Sequence, residues 1–296
     1  MKHIARILCT LVPLVGAITT GPPAHAAFPG TNGAIAFGRT TNGQSDIWTV
    51  STGGGTTRLT TTPHRNESMP DWNAAGTMVA YARCGSGKLS NCDIWVMDAD
   101  GGNQARITAT PAQETWPSWS PDGTQIAYTS NAADTFQDVW VMDADGGNQT
   151  RLTTTSAFDA FPEWSPDGAH IVFDSNRSAP DDIWVMDADG GNQTRLTTGN
   201  KVDEYPDWSP DGEKVTFSRN GNVWVMDADG SNRTQLTSNP RHEFAPAFSP
   251  DGLLIAFNRE GADDRFGVWT MPADGSVRAR QRTSGLFDFF ADWRPV

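Results

Sequence analysis

Residues 161–197 read FPEWSPDGAHIVFDSNRSAPDDIWVMDADGGNQTRLT, and the fold follows from this stretch. Four short runs with β character stand in it, FPEW, HIVFDS, DIWVMD and TRLT, separated by turn residues. The turns have physical reasons. In the copy Ser120-Pro121-Asp122-Gly123, the proline presets the first corner of a type I turn. Asp122 tolerates the second corner, and Gly123 can take the positive φ that closes a bulged hairpin. The segments Asp98–Asn103, Asp143–Asn148, Asp187–Asn192 and Asp227–Asn232 are equally rich in residues that reverse an extended chain.

The stretch recurs. The Trp of its WSPDG, Trp164, aligns with Trp72, Trp119, Trp208, Phe248 and Trp293, and the six lie in steps of 47, 45, 44, 40 and 45 residues. A repeat of about 45 residues with four strands is the size of one propeller blade, and helical repeat templates fit nowhere. The repeats cover 28–60, 69–108, 116–153, 161–197, 205–237 and 244–283. The first lacks a Trp-bearing innermost strand, and the chain ends in FFADWRPV, which is that strand alone. Residues 289–296 are therefore expected to complete the first blade, giving an all-β, six-bladed propeller of four antiparallel strands per blade with no free edge at the seam. Eleven of the twelve Trp fall at two repeat positions, five in the innermost strand and six in the third, which marks them as inter-blade core.

The pattern PxWSPDGxxIaFxS…DIWVMDADGxNxxRLT resembles the repeat of the TolB-like six-bladed β-propellers, over essentially all of residues 28–296. The resemblance implies an exported propeller that serves as a protein-binding module. The family's namesake carries a separate domain before its propeller; here no room for one is expected between Ala26 and the first blade, so the expectation is a stand-alone propeller at 27–296.

Residues 1–26, MKHIARILCTLVPLVGAITTGPPAHA, have the parts of a cleaved signal peptide: Lys2 and Arg6, an apolar run, and Ala24-His25-Ala26. A secreted or periplasmic location is expected. Removing the leader deepens the formal charge of −13 by two, which argues against nucleic acid and anionic lipid as partners. No other apolar run approaches membrane-spanning length, so no membrane insertion is expected, and a monomer is expected. Cys84 and Cys92, eight positions apart around a Gly-containing turn, read as a hairpin-stapling disulfide.

Five residues before each innermost-strand aromatic the chain is always acidic: Glu67, Glu114, Asp159, Asp203, Glu243 and Asp288. These six are expected near one channel mouth, as candidates for a ligand or metal. Oxygen-only donors favour Ca²⁺ or Mg²⁺ in the channel. The alternative is that each is satisfied locally, by loop N–H groups or by the arginine two places after the second-strand aromatic, found at Arg39, Arg83, Arg219 and Arg259 but replaced by Ser130 and Ser175. A weaker acidic set, Asp71, Glu163, Asp207 and Asp292, directly precedes the aromatic and is broken by Ser118 and Ala247. The Asp-x-Asp-Gly segments lack the ligand spacing of a calcium-binding loop and read as turns.

No nucleophile elbow, HExxH or phosphate-binding loop is present, and no catalytic residue is assigned. Loop candidates are His64, His242, Trp116 and Tyr205, with Phe158, Phe244 and Phe287. Two functions are expected in competition. One is a module binding a protein or small ligand at the channel mouth and the loops before the innermost strands. The other is a metal-assisted hydrolase or lyase using the loop histidines and channel carboxylates, which requires His64 or His242 to converge with them.

Overall fold

A computed structural model describes residues 28–85, 91–133, 136–262, 265–284 and 287–296, so the expected leader lies outside the described residues. The described strands form six four-stranded antiparallel sheets. Blade 1 holds β1 (Asn32–Thr41), β2 (Gln44–Val50) and β3 (Thr56–Arg58). Blade 2 holds β4 (Asn66–Trp72), β5 (Met78–Cys84), β6 (Cys92–Asp98) and β7 (Ala105–Arg106). Blade 3 holds β8 (Glu114–Trp119), β9 (Gln125–Ser130), β10 (Asp138–Asp143) and β11 (Thr150–Arg151). Blade 4 holds β12 (Asp159–Trp164), β13 (His170–Ser175), β14 (Asp182–Asp187) and β15 (Thr194–Arg195). Blade 5 holds β16 (Asp203–Trp208), β17 (Lys214–Arg219), β18 (Asn222–Asp227) and β19 (Thr234–Gln235). Blade 6 holds β20 (Glu243–Phe248), β21 (Leu254–Glu260), β22 (Phe266–Pro272) and β23 (Arg280–Gln281). The last strand, β24 (Asp288–Pro295), returns to pair with β1 as the innermost strand of blade 1, with Ile35 opposite Trp293 and Arg39 opposite Asp288. The expected one-plus-three closure is what forms.

Turn chemistry dictates the reversals. Gly123 sits at φ 71° and donates its N–H to the Ser120 carbonyl, while Ser120 Oγ donates to Asp122. In the Asp143–Asn148 turn, Asp145 accepts the Gly147 N–H and Asp143 accepts the Asn148 amide, so these carboxylates serve the turn. Gly146, at φ 87°, lies so close to the preceding blade that an added Cβ would meet the Ile107 carbonyl oxygen at 2.1 Å.

The core runs between blades. Trp119 and Trp164 share one buried cluster with residues of blades 3 and 4, and Trp293 packs with Ile35 and Phe37 of blade 1 and with Ala256 and Val268 of blade 6. Each sheet hides one face against the next, so closing the ring removes apolar surface that no single blade could bury. Cys84 and Cys92 are cross-strand partners at the ends of β5 and β6 and are joined by a disulfide.

Candidate functional site

The six acids that begin the innermost strands do not line the channel. Each is 0–1% exposed and turned into its own blade. Four lie directly opposite an arginine of the second strand and pair with it: Glu67 with Arg83, Asp203 with Arg219, Glu243 with Arg259 and Asp288 with Arg39, at 2.5–2.7 Å. In blade 4, where Ser175 replaces the arginine, Arg177 reaches back to Asp159 at 2.7 Å and to the Ser175 hydroxyl. Blade 3 has no such arginine; Glu114 accepts the Thr110 hydroxyl, and burial pushes its carboxyl pKa up. Five of the guanidiniums also stack on the third-strand Trp, as Arg83 does on Trp95 at 3.9 Å and Arg177 on Trp184 at 4.6 Å. Acid, arginine and Trp form a repeated brace, which makes the channel-mouth ring expected from sequence a scaffold device. Among the described residues, no group of three or more His, Cys, Asp and Glu is disposed to hold a metal ion.

The channel belongs instead to the weaker set and to residues that sequence reasoning placed in loops. The residue two places after the acid of each innermost strand, Met69, Trp116, Phe161, Tyr205, Ala245 and Phe290, adopts the left-handed conformation, with φ between 48° and 57°. At this point the register between first and second strand slips in every blade. The slip turns these six side chains toward the axis. Non-glycine residues pay about 1–2 kcal/mol each for that conformation. It is held by the neighbouring blade: Thr129 Oγ1 accepts the Phe161 N–H at 3.2 Å and Asn258 Oδ1 that of Phe290 at 2.8 Å.

Across the axis, Trp116 meets Phe161 at 4.4 Å and Phe290 at 4.3 Å, both edge to face, and Phe161 meets Tyr205 at 4.5 Å. Residues of blades 1, 3, 4 and 5 thus form an aromatic plug. Trp116 and Tyr205, expected in loops, are channel residues; Phe161 and Phe290 were not singled out, although each occupies the place before Pro162 or Ala291 that the repeat marks.

Two residues further along, Asp71, Ser118, Glu163, Asp207, Ala247 and Asp292 line a cavity of about 100 Å³, with Phe28 from the N-terminal segment also on its wall. The carboxylates are partly spent as clamps between blades. Asp292 accepts the Trp72 N–H, Asp71 that of Trp119 and Asp207 that of Phe248, each at 2.7 Å, and Glu163 accepts the Ser118 hydroxyl at 2.7 Å. Burial first, and then their mutual repulsion, raises the pKa of Asp71 and Glu163 well above the usual carboxylate range. Burial raises Asp207 likewise and takes Asp292 to about 7, against the opposing effect of the backbone N–H groups they accept.

His64 and His242 are exposed in the loops before β4 and β20, on blades 2 and 6 with blade 1 between them. His242 lies over Phe244, 5.4 Å between rings. Among the described residues, neither joins a carboxylate cluster. An aromatic run does lead outward from the plug: Phe290 to Phe289 at 5.9 Å, then to Phe287 at 6.1 Å and to Phe266 at 5.2 Å, with Phe287 38% exposed at the rim.

Residues 131–296 match the family model described as the TolB β-propeller domain. No curated protein matches the chain. Among solved structures, TolB from Acinetobacter baumannii is 22% identical over 89% of this chain and 67% of its own, with a TM-score of 0.78. A putative TolB from Agrobacterium tumefaciens is 22% identical over 89% of this chain and 91% of its own, with a TM-score of 0.68. A chain of a nidogen/laminin complex matches at 13% identity over 84% of this chain and 91% of its own, also with a TM-score of 0.68. At these identities the likeness is one of fold.

Proposed function

The chain belongs to the TolB β-propeller domain family, and on that premise we propose that it is an exported protein-binding module. Its partner docks on the face where the innermost strands begin. The observation that supports this reading most is the aromatic run from exposed Phe287 through Phe289 and Phe290 into the plug around Trp116. Contiguous rings reaching solvent suit a partner's apolar segment. On the opposite face the exposed apolar residues Leu253 and Val277 stand in turns that also carry Asp251 and Asp274. The separation of His64 from His242 favours binding over the metal-assisted chemistry that would need them together. Export is supported by the residue pattern of 1–26 and by the Cys84–Cys92 disulfide, a bond that persists in oxidising compartments.

The test is capture of a partner from extracts of the source cells by the mature chain, compared with three folded variants. Phe287→Asp and Val202→Asp, in loops of the proposed face, should abolish capture, and Val277→Asp on the other face should leave it intact. Equal capture by all four proteins would overturn the docking face. A mature N-terminus other than residue 27, or retention in the cytoplasm, would overturn export.

A further inference from the structure

Three positions meet where one blade abuts the next on the face that begins the innermost strands. The first follows the second-strand aromatic, the second precedes the third strand's Trp by three residues, and the third follows the acid of the next blade's innermost strand. At five seams these positions hold no charge: Gly38, Ser45 and Ser68; Ala82, Cys92 and Thr115; Thr129, Gln137 and Ala160; Ser218, Gly221 and Phe244; Asn258, Phe266 and Phe289. At the seam of blades 4 and 5 they are Asp174, Asp181 and Glu204.

The backbone brings the three together. Asp203 donates its N–H to the Asp181 carbonyl at 2.9 Å, setting Asp181 beside Glu204, and Asp174 accepts the Tyr205 N–H. Asp174 is 1% exposed, and its Oδ1 has no hydrogen-bond partner. Asp181 and Glu204 are half-buried above it. The arginines of the two blades are committed elsewhere: Arg177 to Asp159, Arg195 to Asp182, Arg219 to Asp203 and Arg233 to the Gly230 and Leu196 carbonyls. Lys201, in the loop before Asp203, is exposed. Burial, and then Glu204 and Asp181, drive the Asp174 carboxyl well above its usual pKa; burial, and then Asp181, raise that of Glu204. Asp174 serves the Tyr205 N–H as Thr129 and Asn258 serve the equivalent N–H groups at their seams, but Asp181 and Glu204 add only repulsion to it, and five sister seams fold without these charges.

The surroundings select the missing cation. The three acids are not disposed to share one metal ion. Separated carboxylates with no resident cation suit a delocalised cation that offers several N–H groups to different acceptors at once. We propose that the Asp174–Asp181–Glu204 seam is a pocket for the guanidinium of an arginine side chain supplied by a protein partner. The assignment of a protein as its source rests on the docking face proposed above; the pocket itself rests on the triad.

The probe is N-acetyl-L-arginine amide, titrated calorimetrically into the full mature chain, with the neutral isostere N-acetyl-L-citrulline amide and calcium chloride as comparisons. The arginine amide is expected to bind at one site and the other two not. Glu204→Gln and Asp181→Asn should each weaken it by about tenfold or more. Glu213→Gln, which removes one charge from blade 5 on the opposite face, should leave it unchanged. The melting temperatures of Glu204→Gln and Asp181→Asn should stay level or rise. Equal binding of citrulline, retention of binding in both variants, stoichiometric calcium uptake, or a fall of several degrees in both variants would overturn the pocket. Arginine amide bound at the seam with no protein captured on that face upholds the pocket and overturns the docking reading; capture untouched by Glu204→Gln does the reverse.

Discussion

Arg39 in β1 grips Asp288 in β24 across 249 positions of sequence, its Nε 2.7 Å from Oδ1 and its Nη2 3.0 Å from Oδ2. The same brace that stiffens a single blade elsewhere here fastens the two ends of the chain. Asp288 is fully buried, so removing it leaves a guanidinium that is only 15% exposed without its anion. Asp288→Ala should cost about 3 kcal/mol in urea unfolding. Lys214→Ala, which breaks the exposed pair with Asp227, should cost under about 1 kcal/mol. Equal losses would mean that burial does not set the strength of the closure.

The channel carboxylates make stability depend on pH in an unusual direction. Asp71, Glu163, Asp207 and Asp292 all titrate above their unfolded range, Asp292 at about 7. Groups with a raised folded pKa favour the native state fully when the pH is below the unfolded value, near 4, and lose that contribution as the pH rises through the folded one. The melting temperature should therefore fall between pH 5 and pH 8. Asp292→Asn, which keeps an oxygen for the Trp72 N–H, should flatten the decline. A profile that rises over this interval in the wild type would contradict the assignment.

Trp116 links the plug to the carboxylates behind it. Trp116→Ala removes its ring contacts with Phe161 and Phe290 and should cost about 2–3 kcal/mol. By admitting water to the cavity it should also lower the raised carboxyl pKa values. The fall in melting temperature from pH 5 to pH 8 should then be shallower than in the wild type, a change that loss of packing alone would not produce.

Two glycines separate backbone strain from steric conflict. Gly43, at φ 79°, has open space where a Cβ would stand, and Gly146, at φ 87°, has the Ile107 carbonyl oxygen there. Gly43→Ala should cost about 1 kcal/mol, the strain alone. Gly146→Ala should cost about 3 kcal/mol or more, because blades 2 and 3 must part to admit the methyl group. Thermal melts of the two variants make the comparison directly.

The repeat could be read because each turn writes its chemistry into adjacent letters, and the odd C-terminal FFADWRPV could be matched only to a first blade short of one strand. Which acids face the axis was not legible. Glu67 and Asp71 differ by four positions in an apparently regular strand, yet the slip at Met69 intervenes, and Glu67 meets its cross-strand Arg83 while Asp71 enters the channel. The arginine code pointed to the correct brace in four blades; in blade 4 it failed because Arg177 lies beyond the end of β13 and reaches back. The acidic seam escaped notice for a different reason. Its members sit in two blades and are unusual only against the uncharged residues at the same places elsewhere.

The six left-handed positions have identical backbones but unlike side chains: Met69, Trp116, Phe161, Tyr205, Ala245 and Phe290. Because the neighbouring blade holds the main chain there, the letter at each can change without redrawing the strand around it. The axis therefore works as a six-character combination on a fixed lock. What a propeller of this kind admits or refuses along its axis can be rewritten one character at a time, while the ring that carries the characters stays the same.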